Sequence, residues 1–181
     1  LKRIKTDRIK LYGHCDKQCL FFNEVIPMNE KARLFEKFLI DEQLTCFEKR
    51  EVGDEDHTVV FRSYVQTELG DIPVFLLLDD TIYATIRLLM GAGVVTKENR
   101  QDILTFINRE NSTYKSFKYY IEEDDDSVYL DCINQSANSN FDPRLLYVLM
   151  TQIVEYIPGK IQTIGEVFRV EQLPPPEHAH E

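Results

Sequence analysis

The sequence lacks two features that would indicate binding to a membrane or to a nucleic acid. It contains no apolar run long enough to cross a bilayer, and it does not open with the charged and then apolar segments of a signal peptide. There are 21 basic and 31 acidic residues, giving a formal charge of −10, and no basic stripe interrupts the acidic background. A nucleic-acid surface needs clustered lysine and arginine to displace counterions. We therefore expect an acidic, cytoplasmic protein that binds neither membrane nor nucleic acid.

The sequence also lacks the motifs of common catalytic and nucleotide-binding sites. His57 lies beside a run of acids, but no serine or cysteine nucleophile can be paired with it. Residues 90–93 contain two glycines without the Gly-Lys-Ser/Thr that completes a phosphate-binding loop. The acidic residues 122–126 lack the central glycine and distal glutamate of an EF-hand. We expect a protein that is not an enzyme and holds no cofactor, although distant residues can converge on a site that no sequence pattern reveals.

Cysteine is scarce, and its placement leaves two interpretations open. His14, Cys15 and Cys19 lie within six residues and could ligate zinc, with Cys46 completing the set if the N-terminal segment folds back. A second copy could also supply ligands in trans. The alternative is ordinary reduced cysteines. Cys132 alternates with apolar residues and is expected in the core.

The clearest structural pattern is helix, acidic-tipped hairpin, helix, over residues 96–164. Thr96 is a candidate cap for a helix that ends near residue 111. Strands are expected at residues 116–121 and 127–133, and in the second strand Val128, Leu130 and Cys132 are expected on one face with Tyr129 and Asp131 on the other. The five adjacent carboxylates between them repel one another and belong at an exposed turn.

The last helix of this pattern has a strong start signal in Asp142-Pro143, an N-cap acid followed by proline at the first helical position. We expect it to end at Pro158-Gly159. Its expected apolar stripe consists of Leu145, Leu146, Val148, Leu149, Gln152, Ile153, Tyr156 and Ile157. Tyr147 and Met150 fall off that stripe, so the helix needs cover on more than one side, from a partner copy or from the rest of the chain.

The first half of the domain predicts a helix and then strands. The helix is expected at residues 29–42 and the strands at residues 45–52, 58–67, 72–78 and 81–90. The nearly continuous apolar run 72–78 predicts a central strand covered on both faces, and Pro73 an irregularity at its start. Ile82 is expected to alternate with Ala84 on one face of the fourth strand. The order is helix, three or four strands, helix, two strands, helix. That is an α+β fold with an antiparallel sheet and segregated helices.

Three segments follow from these patterns. Residues 1–28 form an N-terminal arm, residues 29–168 a single α+β domain, and residues 169–181 a Pro/His tail expected to be disordered. The arm holds the one basic cluster, Lys2, Arg3, Lys5, Arg8 and Lys10. We interpret this cluster as a solvated arm, with phosphate or partner binding as the alternative.

Several short stretches resemble the bacterial YbjN family. They are the helix end DILTFIN (102–108), the strand FKYYI (117–121), the acidic turn, the strand VYLD (128–131) and the helix start FDP (141–143). The resemblance covers roughly residues 30–165. It implies a fold like that of the type III secretion chaperones and a role in sensory-transduction regulation. It supplies no catalytic residues, and this chain departs from the pattern in its glycine-free turn and its Cys/His arm.

The resulting functional prediction is a regulatory or chaperone-like module that binds a protein partner. Secretion chaperones of similar fold are small, acidic and dimeric, so the resemblance also implies a homodimer. The candidate partner-binding residues are those expected on the sheet face without helices: Tyr64, Tyr83, Arg87 and Tyr129. Ordinary sheet-surface aromatics are the alternative interpretation. The alternative function is a zinc-binding or metal-regulated protein that uses the His/Cys cluster.

Overall fold

The computed structural model describes residues 29–169, which form a six-stranded antiparallel sheet with four α-helices. In chain order the elements are α1 (Glu30–Asp41), β1 (Glu48–Glu51), β2 (Val59–Thr67), β3 (Gly70–Leu78), β4 (Tyr83–Gly91), α2 (Arg100–Thr113), β5 (Lys118–Glu122), β6 (Ser127–Gln135), α3 (Pro143–Tyr156) and α4 (Ile161–Phe168). The strand order is β1-β2-β3-β4-β6-β5. The α+β prediction with an antiparallel sheet is confirmed, and the fourth strand before the second helix is present.

The sheet buries one of its two faces. Along β2, β3 and β4 buried side chains alternate with less buried ones, and the buried set packs with the helices in one apolar core. The prediction that residues 72–78 are covered on both faces is therefore wrong, because Pro73, Phe75 and Leu77 are only half-buried. Pro73 sits inside β3, one residue outside the β3–β4 pairing that begins at Val74, where a strand tolerates a missing N–H.

Helix α1 begins at a buried cap that joins it to the sheet. The Asn29 side chain accepts a hydrogen bond from the Ala32 amide (2.7 Å), as an N-cap does. Its amide nitrogen donates to the carbonyls of Leu78 (2.9 Å) and His57 (2.7 Å). The expected helix at residues 29–42 is confirmed, and its start is fixed at the end of β3.

A buried lysine makes a second connection at the same place. The Lys31 side chain is fully buried, and its ammonium group donates to the carbonyls of Thr81 (2.7 Å) and Tyr83 (2.5 Å), with the Asp79 carboxylate at 3.7 Å. Burial lowers the pKa of Lys31, and Asp79 partly opposes that effect. Residues 79–82 form the β3–β4 turn, so α1 starts directly against this turn.

The acidic hairpin turn is confirmed and is tied to the loop before α2. Asp126 adopts the left-handed conformation (φ 55°) that a glycine would otherwise supply. Its carbonyl accepts from the Val95 amide (3.0 Å), and the Ser127 hydroxyl accepts from the Gly93 amide (3.0 Å). Thr96 is not the cap of α2, contrary to expectation. Asn99 accepts from the Thr96 amide (2.7 Å), which closes a turn and delays the helix to Arg100.

The C-terminal helices differ from the expected pattern in two respects. Asp142 caps α3 as expected, accepting from the Arg144 amide (2.9 Å). However, Met150 is fully buried in the core, whereas Leu145 and Val148, which were placed on the buried stripe, are exposed. Pro158-Gly159 forms a short 3₁₀ turn, after which the chain resumes as α4, a helix that the sequence did not predict.

The remaining corrections concern element boundaries and the chain ends. The strand expected at residues 45–52 spans only Glu48–Glu51. Ile82 does not alternate with Ala84 in a strand, because it lies in the β3–β4 turn and is exposed. The N-terminal arm and residues 170–181 lie outside the described residues. None of the helices within residues 29–169 is long and apolar enough to span a bilayer.

A buried carboxylate holds α2, α3 and the segment before α4 together. Glu110 is buried and accepts from the Tyr156 hydroxyl (2.8 Å) and the Lys160 ammonium (3.1 Å). The Tyr119 hydroxyl donates in turn to Tyr156 (3.1 Å). Burial opposes ionisation of Glu110, but the hydrogen bonds from Lys160 and Tyr156 outweigh it and lower the pKa of Glu110.

Replacing Glu110→Gln should lower the free energy of unfolding at neutral pH by about 2 kcal/mol, because charged hydrogen bonds are lost from a buried site. The pKa is depressed in the folded state, so the stabilisation exists above the ordinary value of 4.5 and disappears as the pH falls through the folded pKa. Urea unfolding at several pH values measures this. A difference between the two proteins that stays constant below pH 4.5 would contradict it. Tyr156→Phe keeps the carboxylate and its Lys160 bond but removes one of the hydrogen bonds that lower the pKa of Glu110, so its pH dependence should be weaker than that of the unchanged protein.

Candidate functional site

The face of the sheet opposite the helices is the candidate site, and we call it the open face. No helix within residues 29–169 covers it. Its principal side chains are Arg62, Tyr64, Phe75, Leu77, Tyr83, Arg87, Leu89, Tyr120, Tyr129, Asp131 and Ile133. Most of them are half-buried by their neighbours and not fully exposed. The face is thus a packed surface rich in aromatic and aliphatic groups.

At the centre of the open face, an arginine pairs with an acid and lies close to two tyrosine rings. Arg87 on β4 faces Asp131 on β6 and donates to both carboxylate oxygens, at 2.9 and 2.7 Å. The guanidinium carbon lies 5.5 Å from the ring centroid of Tyr129 and 5.9 Å from that of Tyr120. The two rings are stacked, with centroids 5.7 Å apart. The bidentate pair fixes Arg87 as a planar platform beside the rings.

The ion pair and burial together determine the charges of this cluster. Hydrogen bonding to Asp131 raises the pKa of Arg87, so the guanidinium keeps its charge. Burial raises the pKa of Tyr120, so that its hydroxyl stays protonated at neutral pH. The cluster presents a neutralised cation and phenolic hydroxyls. Such a surface can stack against a partner and exchange hydrogen bonds with it.

A second arginine repeats the arrangement on the neighbouring strands. The guanidinium of Arg62 on β2 lies 4.8 Å from the ring centroid of Tyr64 and 5.9 Å from that of Phe75. Strand pairing places Arg62, Phe75, Arg87 and Asp131 in one row across β2, β3, β4 and β6. The row therefore holds one aromatic ring between two arginines, with the acid at its β6 end.

Three exposed apolar side chains lie at the end of the sheet where β4 begins and β6 ends. Ile82 in the β3–β4 turn is 54% exposed, Tyr83 at the start of β4 is 43% exposed, and Ile133 on β6 is 54% exposed. The Ser136 amide donates to the Ile82 carbonyl (2.8 Å), which holds the turn against the end of β6. We call these three residues the corner. Their exposure leaves apolar area in contact with water.

The open face is electrically balanced although the chain carries a formal charge of −10. By strand alternation, the face and its margins carry four basic and four acidic side chains: Arg50, Arg62, Arg87, Lys118, Glu48, Asp71, Glu122 and Asp131. The excess of acid lies elsewhere. A protein segment can approach this face without the repulsion that the rest of the surface exerts on acidic partners.

The four partner-binding candidates all lie on the open face, but only two of them touch. Arg87 contacts Tyr129, whereas Tyr64 lies beside Arg62 and Tyr83 belongs to the corner. The sequence interpretation missed Arg62, Phe75, Tyr120 and Asp131 as members of the same surface. Strand alternation already placed Asp131 with Tyr129. The cross-strand register that sets Asp131 opposite Arg87 had no signal in the sequence.

The described part of the chain contains only one of the four candidate zinc ligands. His14, Cys15 and Cys19 lie outside the described residues, so their part of the hypothesis stays a prediction. Cys46 is half-buried between α1 and β1, and burial raises the pKa of its thiol, which disfavours the metal-binding thiolate. Within residues 29–169 no three His, Cys, Asp or Glu side chains gather where they could hold a metal ion. Cys132 is buried in the core as expected.

An apolar cleft of about 360 Å³ lies between α4 and the β2–β3 turn. Leu69, Ile72, Met90 and Ile164 line it, and Asp71 is the one ionisable side chain on its wall. A specific small-molecule site usually combines an apolar lining with several convergent polar groups. The open face carries more charged and hydrogen-bonding side chains than this cleft, and it is therefore the better candidate site.

Comparison of the chain with protein-family models, with curated proteins and with solved structures found no match to any of them.

A double-mutant cycle on Arg87 and Asp131 should give a coupling energy of about 1 kcal/mol, because the pair is bidentate and partly shielded from water. Arg87→Met and Asp131→Asn are the single changes, and urea unfolding is the measurement. The exposed pair Arg100–Glu123 serves as the matched control and should couple by less than about 0.5 kcal/mol. Equal coupling in the two cycles would show that the open face does not strengthen its ion pair.

Proposed function

We propose that this protein is a non-enzymatic bacterial regulatory or chaperone-like module that binds an extended segment of a partner protein on its open face. The observation that carries the proposal is the set of aromatic side chains around two arginines on that face, with Arg87 held by Asp131 beside the stacked rings of Tyr120 and Tyr129. Tyrosine, phenylalanine and arginine are the side chains enriched at protein interfaces. The balanced charge of the face favours a protein segment over a polyanion.

The resemblance to the YbjN family supports the same proposal and makes it more specific. It favours a cytoplasmic role in sensory transduction and a fold of the type III secretion chaperone kind. Chaperones of that kind hold extended partner segments on apolar surfaces, and the open face offers aromatic rings beside two arginines to such a segment. Function drawn from fold resemblance alone is an analogy, so the open face is the part of the proposal to test first.

Replacing Tyr83→Ser together with Tyr129→Ser should reduce partner capture by about tenfold or more, because each ring removes interface area worth at least about 1 kcal/mol. The measurement is affinity capture from the source cell, with a photoreactive phenylalanine in place of Tyr64 to show that the captured protein touches the open face. Capture that survives the double substitution, or the absence of any partner adduct at residue 64, would remove this face from consideration.

The matched control for that experiment lies on the helix side. Ile40 and Leu104 are exposed apolar residues on α1 and α2, outside the proposed dimer contact, and Ile40→Ser with Leu104→Ser likewise removes two exposed apolar side chains. This variant should keep full capture. Urea unfolding of both double variants shows whether any loss of capture comes from loss of the fold.

We also propose a homodimer that forms through α3. Leu145 and Val148 lie three residues apart on this helix and are exposed, so they share one face of it. A two-fold contact would set this face against itself, as a self-complementary interface requires.

Light scattering at micromolar concentration should therefore report twice the mass of the chain. Leu145→Ser with Val148→Ser should halve that mass, because the apolar contact is lost from both copies. The Tyr83→Ser and Tyr129→Ser variant is the control and should stay dimeric. A wild-type protein that is monomeric at this concentration would contradict the dimer proposal.

A further inference from the structure

The sheet is split between β3 and β4 at the end nearest α4. Strand β3 pairs with β2 along its whole length and β4 pairs with β6 to its end, but the pairing between β3 and β4 stops at Val74 and Leu88. Residues 70–73 and 89–91 therefore lie side by side without a ladder of hydrogen bonds between them. The apolar cleft of about 360 Å³ occupies this gap, and α4 closes it on the helix side.

A proline explains why the pairing stops. The Val52 amide donates to the Thr58 carbonyl across β1 and β2 (2.9 Å), and strand alternation counted from this bond turns the backbone groups of Pro73 toward β4. In a regular ladder, the N–H at position 73 would donate to the carbonyl of Leu89, which is the next residue opposite. Because proline has no N–H, the Leu89 carbonyl lacks that donor and faces the gap. A bulge between Leu89 and Gly91 bends β4 at the same place.

The turn that forms one wall of the gap is held in place. The Thr67 hydroxyl donates to the Gly70 carbonyl (2.6 Å) and accepts from the Leu69 amide (3.2 Å). Leu69 already packs against α4 at Gly165, where an added Cβ would come within 2.8 Å of a Leu69 methyl carbon. The turn has no room to move further toward the helix, so the gap is a preformed cavity.

The lining of the gap determines which ligand it fits. Ile72, Met90 and Ile164 supply apolar contacts, and burying an apolar body against them is favourable. About 150 Å³ is enough for a benzene ring, so this volume holds a phenyl group with a short aliphatic chain. The polar groups on the wall are acceptors, namely the Asp71 carboxylate and the Leu89 carbonyl. A matching ligand therefore donates hydrogen bonds and carries positive charge.

We propose that this gap binds a small apolar amine, whose ammonium group donates to the Asp71 carboxylate and whose body lies between β3, β4 and α4. A carboxylate on the same body is repelled by Asp71, and a neutral hydroxyl forgoes the ion pair. The site thus selects by charge as well as by size. This inference goes beyond the proposed function and does not depend on it.

The test titrates the purified chain with phenethylamine and follows the isotope-labelled isoleucine methyl groups by NMR. Phenethylamine at millimolar concentration should shift the Ile72 and Ile164 methyl signals, and phenylpropionate should bind about tenfold more weakly. Asp71→Asn should weaken amine binding about fivefold and leave phenethyl alcohol unaffected. Glu48→Gln changes the net charge equally at the β1 margin, so it is the matched control and should bind the amine unchanged.

A second variant tests the cause of the gap. Pro73→Val supplies the missing N–H, so it should extend the pairing to Leu89, protect the new amide at position 73 from hydrogen exchange, and abolish binding of the amine and of the alcohol. Because Asp71 is exposed, its variant keeps the fold even if Pro73→Val does not. Methyl signals that do not move, equal affinity for amine and carboxylate, or full binding after the pairing has been extended would overturn the proposal. An unprotected amide at position 73 would show that the proline does not hold the gap open.

Discussion

The one-sided packing of the helices is the constraint on which the rest of this structure depends. In an antiparallel sheet successive side chains point to opposite faces, so a helix layer on one side divides every strand into a core set and a surface set. Ile86 and Leu88 enter the core, whereas Arg87 between them cannot. The open face is thus a direct result of where the helices lie.

The side chains of a half-apolar surface of this kind must be held in a fixed arrangement, and the two arginines hold them. Each guanidinium lies over aromatic rings, and Arg87 is also held by both oxygens of Asp131. The aliphatic stems of the arginines cover part of the neighbouring apolar area while the charged heads stay in contact with water. The face can therefore remain exposed in an acidic protein and still keep a fixed shape.

Local patterns predicted much of the fold, and long-range pairing limited the rest. Alternation in residues 127–133 correctly separated Leu130 from Tyr129 and Asp131, and Asp142 correctly marked a helix start. Alternation says nothing about which residue of another strand lies opposite, because register depends on turns and on packing across the core. The pair Arg87–Asp131 spans 44 positions and was invisible for that reason. Helix α4 was missed because Pro158-Gly159 reads as a stop, while the chain in fact makes one tight turn and continues.

One edge of the sheet has a further consequence. A strand at the edge of a sheet exposes unpaired N–H and C=O groups, and these invite another chain to add as an extra strand. Strand β1, at one margin, has only four residues, all of them charged and exposed. A short and charged margin of this kind discourages strand addition. Association at this side of the molecule would then depend on side chains on the face of the sheet and not on backbone pairing along its edge. Side-chain contacts are specific, whereas unrestricted backbone pairing leads to aggregation.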